Sequence, residues 1–172
     1  MRLSVLPRLA ALLVLGASTA LGCGGSTAPP PSMASPLLDK QIPDFHRPAL
    51  DGSTIDTASA RGRVVVIKFF AQYCEPCKKT LPEVEALHKD RPDVLVLGID
   101  EDELASDAQQ MVQRYGLTFP VIHDGSNVLS GRFRVREMPV TFVADKQGTI
   151  RWVGGPAQTG DELRRAIDTV SR

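Results

Sequence analysis

The chain has 172 residues, room for one domain with appendages. Its 20 basic and 20 acidic residues give a formal net charge of zero, so there is no electrostatic footprint for a nucleic-acid partner. A hydrophobic fraction of 42% is ordinary for a folded domain, and the three cysteines, Cys23, Cys74 and Cys77, leave one thiol to be accounted for.

Residues 1–22 carry Arg2 and Arg8 and then run apolar from 9 to 21. That is the pattern of an export signal, and it is short for a spanning helix, which needs about 20 apolar residues. Residues 23–36 begin with the leftover Cys23 and continue almost entirely in Gly, Ser, Thr, Ala and Pro. Such a composition buries no core and predicts a flexible, partly extended tether. From residue 37 to 172 the composition is that of a folded domain. Asp51-Gly52 between short apolar runs predicts a β-hairpin.

The continuous run 64–70, rich in β-branched and aromatic residues, predicts a buried central strand. After Cys77, Leu81, Val84 and Leu87 mark one face of a helix. Residues 93–100 predict a second buried strand. The acidic stretch 100–103 is expected to be a solvated helix start, with Ser106 and Gln109 as a capping box. Ala108, Met111, Val112 and Tyr115 carry that helix, and Gly116 stops it. A short helix is expected over 127–133. Strands 139–144 and 149–153, joined by the turn 145–148, predict an antiparallel hairpin. Leu163, Ala166, Ile167 and Val170 mark a last helix. This order gives an α/β domain with a mixed central sheet and helices on both faces.

Cys74 and Cys77 stand two residues apart where the central strand ends and a helix begins. The first turn of a helix has unpaired N–H groups and partial positive charge, and both favour a thiolate. The thiolate is the species that attacks disulfides. Cys74 is the candidate nucleophile and Cys77 the candidate resolving thiol. Glu75, inside the motif, disfavours a neighbouring thiolate and tilts the pair toward a reductant. A structural zinc site would need four ligands, and no second CxxC or closely spaced histidine pair is present, so no metal is expected. His123, beside Asp124 and Gly125, reads as a polar loop residue.

The segments Phe69-Phe70-Ala71-Gln72-Tyr73-Cys74-Glu75-Pro76-Cys77-Lys78-Lys79, Pro82, and Met138-Pro139-Val140-Thr141-Phe142-Val143 resemble the thioredoxin superfamily. Within it they resemble the TlpA/ResA-like extracytoplasmic thiol-disulfide oxidoreductases of bacteria. The resemblance covers the chain after residue 37 and implies a thioredoxin-like fold with an N-terminal β-hairpin. It implies a cis Pro139 opposite the CxxC and a substrate groove of Tyr73, Glu75, Pro76, Met138 and Pro139. It implies a Cys74–Cys77 redox disulfide, no organic cofactor, a client protein with a disulfide or thiol pair, and a membrane electron donor. Ala20-Leu21-Gly22-Cys23 resembles a lipobox. That implies a lipidated Cys23 and a lipid-anchored enzyme on the periplasmic side of a bacterial membrane.

Peroxiredoxins share the fold, but Phe70, Ala71, Gln72 and Tyr73 do not match the residues they carry before a reactive cysteine. A copper-binding module or metallochaperone using the same two thiols is the alternative function. Thioredoxins have a buried Asp where Lys68 stands. A lysine under the active site would tune the cysteines toward thiolate. Desolvating an ammonium costs several kcal/mol, so Lys68 is expected instead to snorkel from a strand end. Tyr73 replaces a common Trp. Thr80 stands where relatives that reduce apocytochrome c carry an acid, which argues against that particular client.

Overall fold

Two runs of apolar, largely β-branched residues sit side by side at the centre of the molecule, where both faces can be covered. The structure is a computed structural model and describes residues 30–172. The central strands are β3 (Val65–Phe70) and β4 (Leu95–Asp100), paired in parallel from Val65↔Leu95 to Phe70↔Asp100. Before them lies a small antiparallel hairpin of β1 (His46–Pro48) and β2 (Thr54–Asp56). A single 3-10 turn, Thr57–Ala60, then leads toward β3.

Helix α1 (Glu75–Asp90) follows β3, and α2 (Ala105–Tyr115) follows β4. The short β5 (Val121–His123) and α3 (Val128–Arg132) come next. The chain ends with β6 (Val140–Ala144), β7 (Ile150–Gly154) and α4 (Gly160–Val170). The five-stranded sheet has the order β5-β4-β3-β6-β7. Strands β3, β4 and β5 run parallel, and the hairpin β6–β7 turns back antiparallel.

Period-two alternation sorts β3 between two cores. Val64, Val66 and Phe70 join Leu81, Val84 and Leu87 of α1, Met111 of α2, and Leu163, Ala166 and Ile167 of α4. Val65, Ile67 and Phe69 point the other way, to Leu129 of α3, Phe133, Ile42 and Phe45. There the rings of Phe69, Phe133 and Phe142 lie within 5.2–5.9 Å of one another at steep angles.

Several expectations differ from what is seen. Lys68 does not snorkel: it stands in mid-strand with 0% of its surface exposed, on the α1 face. The capping box Ser106–Gln109 is absent; α2 begins at Ala105, and Leu104 at its N-cap has no polar side-chain atom to cap it. Asp100 and Asp102 of the acidic stretch are buried rather than solvated. The segment 30–36, assigned to the tether, lies on the domain. Trp152 Nε1 donates to the Pro31 carbonyl at 2.9 Å, and Met33 N donates to the Val153 carbonyl. The export signal 1–22 and Cys23 lie outside the described residues. A capping box does occur at α4, between Thr159 and Glu162, where the Thr hydroxyl and Glu carboxylate satisfy backbone N–H groups reciprocally.

Candidate active site

Strand β3 ends at Phe70, and four residues later Cys74 becomes the N-cap of α1, with extended backbone at φ −86° and ψ 96°. Its sulfur accepts from Cys77 N at 3.2 Å. One of the helix's unpaired donors is therefore aimed at Cys74 Sγ, a donor that stabilises negative charge there. Cys74 and Cys77 are joined as a disulfide. Cys74 keeps 6% of its surface exposed and Cys77 none, so an incoming sulfur can reach only Cys74.

A groove of about 550 Å³ opens beside Cys74. Tyr73, Glu75 and Pro76 form one wall, and residues 135–138 ending in Met138 form the other, with Glu101 also lining it. The expected groove residues Tyr73, Glu75, Pro76 and Met138 are thus brought together. Pro139 follows Met138 through a cis peptide bond and is itself buried. Tyr73 is 68% exposed and overhangs the rim. Partial burial and the carboxylates of Glu101, Asp102 and Asp100 raise its phenol above the ordinary value.

Glu75 donates little net charge to this site. Lys78, one turn on, hydrogen-bonds its carboxylate and holds it below the usual range. That compensation weakens the effect of Glu75 on the Cys74 thiolate.

The acidic stretch supplies a support that the sequence did not disclose. Asp102 Oδ2 accepts from Gln72 N at 2.8 Å and so holds the loop that carries Tyr73 and Cys74. Asp102 N in turn donates to Asp100 Oδ1 at 3.1 Å, while Asp100 Oδ2 is buried without a partner. Burial, and then the neighbouring Asp102, push the Asp100 carboxyl up to about 8. His123 lies in β5 rather than a loop, with Nε2 2.8 Å from the Asp102 carbonyl oxygen. Among the described residues no group of three or more His, Cys, Asp or Glu is placed to hold a metal ion.

Lys68 occupies the middle of β3, beneath α1. Its Nζ donates to Thr141 Oγ1 at 3.1 Å. Burial lowers its ammonium to about 7, and the charge of Glu83 acts in the opposite direction.

A parallel-to-antiparallel sheet with a CxxC capping the helix after its central strand, and a cis-proline beside the same groove, defines a thioredoxin-like thiol-disulfide oxidoreductase. Residues 38–153 match the AhpC/TSA family, and the chain belongs to it. It is 26% identical over 132 residues to the thiol-disulfide oxidoreductase ResA of Geobacillus kaustophilus (strain HTA426), covering 74% of this chain and 75% of that one. It is 28% identical over 133 residues to the thioredoxin-like protein YneN of Bacillus subtilis (strain 168), covering 75% and 78%. Among solved structures it resembles a secreted disulfide oxidoreductase of Mycobacterium tuberculosis homologous to E. coli DsbE. That match has a TM-score of 0.67 and 26% identity, over 73% of this chain and 95% of that one.

Proposed function

We propose that this oxidoreductase is a membrane-tethered, extracytoplasmic reductase of client-protein disulfides. The observation that carries the reading is the asymmetry of the two sulfurs: Cys74 caps α1 and borders the groove, while Cys77 is fully enclosed. The reduced Cys74 thiolate attacks one sulfur of a client disulfide, forming a mixed disulfide and expelling the other client sulfur as a thiolate. Cys77 then attacks Cys74 Sγ, closing the Cys74–Cys77 bond and releasing the client dithiol. The two electrons come from the enzyme dithiol, so no organic cofactor enters the cycle. A membrane electron donor returns the disulfide to the dithiol.

Tyr73, Glu75, Pro76 and Met138 receive the client as an extended segment, whose backbone pairs with Met138 by strand addition. Pro139 ends the groove beyond Met138. The export signal 1–22 directs the domain out of the cytoplasm and is removed, and Cys23, lipidated as the mature N-terminus, holds the domain on the periplasmic side of a bacterial membrane. The secreted mycobacterial relative and the named ResA relatives support this reading.

Replacing Cys77→Ala leaves the mixed disulfide unresolved, so the variant should accumulate covalent adducts with clients that dithiothreitol dissolves. The same variant with Cys74→Ala should accumulate none. Absence of adducts, together with tight stoichiometric copper binding by the reduced wild-type protein, would instead assign the two thiols to metal transport. Cys23→Ser should move the protein out of the membrane fraction; wild-type protein recovered unlipidated and soluble would remove the anchor.

A further inference from the structure

Glu85 and Asp145 show how the fold treats a carboxylate that it draws in from solvent. Glu85 accepts from Thr118 N and Thr118 Oγ1 and pairs with Lys89. Asp145 accepts from Gln147 N and Thr149 N and pairs with Arg151. Glu83, Asp100 and Glu101, by contrast, each keep an enclosed oxygen without a hydrogen-bond partner. Of these, Glu101 lines the groove that holds Cys74. It is half-buried, and no cationic side chain of the described residues ion-pairs with it. Burial raises its carboxyl above the ordinary value; the Ser130 side chain offsets part of that, and the charge of Asp124 adds to it.

The neighbour of Glu101 in the groove is aromatic. Tyr73 lines the same space and is 68% exposed, and Glu101 is the foremost charge acting on its phenol. A half-buried carboxylate beside an aromatic ring suits an ammonium or a guanidinium. The carboxylate offers a charge-assisted hydrogen bond, and the ring attracts a cation over its face. The other charges of the groove leave this place open. Glu75 is taken up by Lys78, and Arg136 comes from the facing wall without pairing to Glu101. Because Glu101 is partly withdrawn from water, a cation that reaches it gains more than at an exposed pair.

We propose that Glu101 and Tyr73 form a cation seat in the groove, which selects clients carrying a lysine or arginine within a few residues of the cysteine that Cys74 attacks. This rests on the thiol-exchange reading above and names the class of client it serves. The seat positions the client and takes no part in the movement of electrons. A groove of about 550 Å³ holds only a short segment, so one stretch of client reaches both the seat and Cys74. In an extended segment successive side chains point to opposite faces, so the basic residue fits at one or two positions rather than at all.

The probes are blocked pentapeptides whose central cysteine carries thionitrobenzoate as a mixed disulfide. Lysine, alanine or glutamate stands at one of the four flanking positions, and glycine at the rest. When the reduced protein is added, Cys74 bonds to the peptide sulfur, the peptide–thionitrobenzoate bond breaks, and the coloured thiolate is released. Each rate constant is divided by that of dithiothreitol with the same peptide, which removes the intrinsic effect of a nearby charge on the disulfide. At one or two positions the lysine peptide should exceed the alanine peptide about tenfold or more, with glutamate slowest. In Glu101→Gln the lysine-to-alanine ratio should fall to within about twofold of unity. In Glu101→Lys the order should invert, with the glutamate peptide fastest. A wild-type ratio below about threefold at every position, an unchanged ratio in Glu101→Gln, or no inversion in Glu101→Lys would each overturn the seat. Should Glu101→Lys fail to fold, the wild-type ratios and the isosteric Glu101→Gln decide. Equal release from all peptides would remove the seat and leave thiol exchange standing; release from none would overturn the thiol-exchange reading itself.

Discussion

Lys68 costs the fold stability at neutral and acid pH. Its ammonium is lowered by burial to about 7 from an ordinary 10.5. Between those values the unfolded chain binds more protons than the native one, so stability rises with pH across the window. It is lost again as pH falls through about 7. Lys68→Met keeps the aliphatic stem and removes the charge. It should stabilise the protein by about 1–4 kcal/mol at pH 6, with the gain shrinking toward pH 10. Urea unfolding at the two pH values checks this, and an equal change at both would show that charge burial is not the cause. At the neighbouring position, iodoacetamide should modify Cys74 before Cys77 in the reduced protein. Cys74 alone has exposed surface and a helix N–H aimed at its sulfur.

At the scale of elements, the site is a junction of the end of β3, the start of α1 and the end of β4. Asp102, just past β4, accepts from Gln72 N thirty residues earlier in the chain. Asp102→Ala leaves that N–H unpaired and should cost about 1–3 kcal/mol while lowering the rate at which reduced Cys74 attacks a disulfide; a stable variant with normal kinetics would remove Asp102 from the site. The Asp100 carboxyl, raised to about 8 by burial and by Asp102, has the opposite linkage to Lys68. The native state keeps a proton that the unfolded chain has lost, so stability falls as pH rises from about 4 to 8. Asp100→Asn should flatten that fall and be the more stable protein above pH 8, as read by denaturation across the range. The CxxC, its strand and its helix were legible because each is a local pattern: an apolar run, a short spacing, a 3.6-residue period. The Met138–Pro139 groove wall was legible only through resemblance, because nothing near residue 138 refers to residue 74. The Asp102–Gln72 bond and the burial of Lys68 and Asp100 were not legible. Burial of a charged side chain depends on which strands pair beside it, and the cost of desolvating a charge argued for exposure.

In the whole molecule the site sits where the sheet changes sense, at the C-terminal end of β3 between parallel β4 and antiparallel β6, the position at which open α/β sheets leave a crevice. The far edge of the sheet is β7, and a bare edge strand invites pairing with another chain. Here the incoming N-terminal segment covers it. Met33 N donates to the Val153 carbonyl, Val153 N donates to Ser32 Oγ, and Asp39 N donates to the Ile150 carbonyl while Ile150 N donates to the Lys40 carbonyl. The tether's composition hid this role, since the bonds are made by backbone and by one serine rather than by an apolar pattern. Two chains, one starting at residue 30 and one at residue 37, isolate the contribution of the outer part of the cover. The shorter chain loses the bonds from Pro31, Ser32 and Met33 and with them the packing of Met33 against Gly155. Each net hydrogen bond is worth about 0.5–1.5 kcal/mol, and ordering the segment costs conformational entropy that offsets part of the sum. The shorter chain should therefore be less stable by about 1–2 kcal/mol in urea. It should also show concentration-dependent association by analytical ultracentrifugation, because the Val153 end of β7 is uncovered. Equal midpoints and a monomeric short chain would mean that the segment merely rests on the sheet and that the tether runs as far as residue 36.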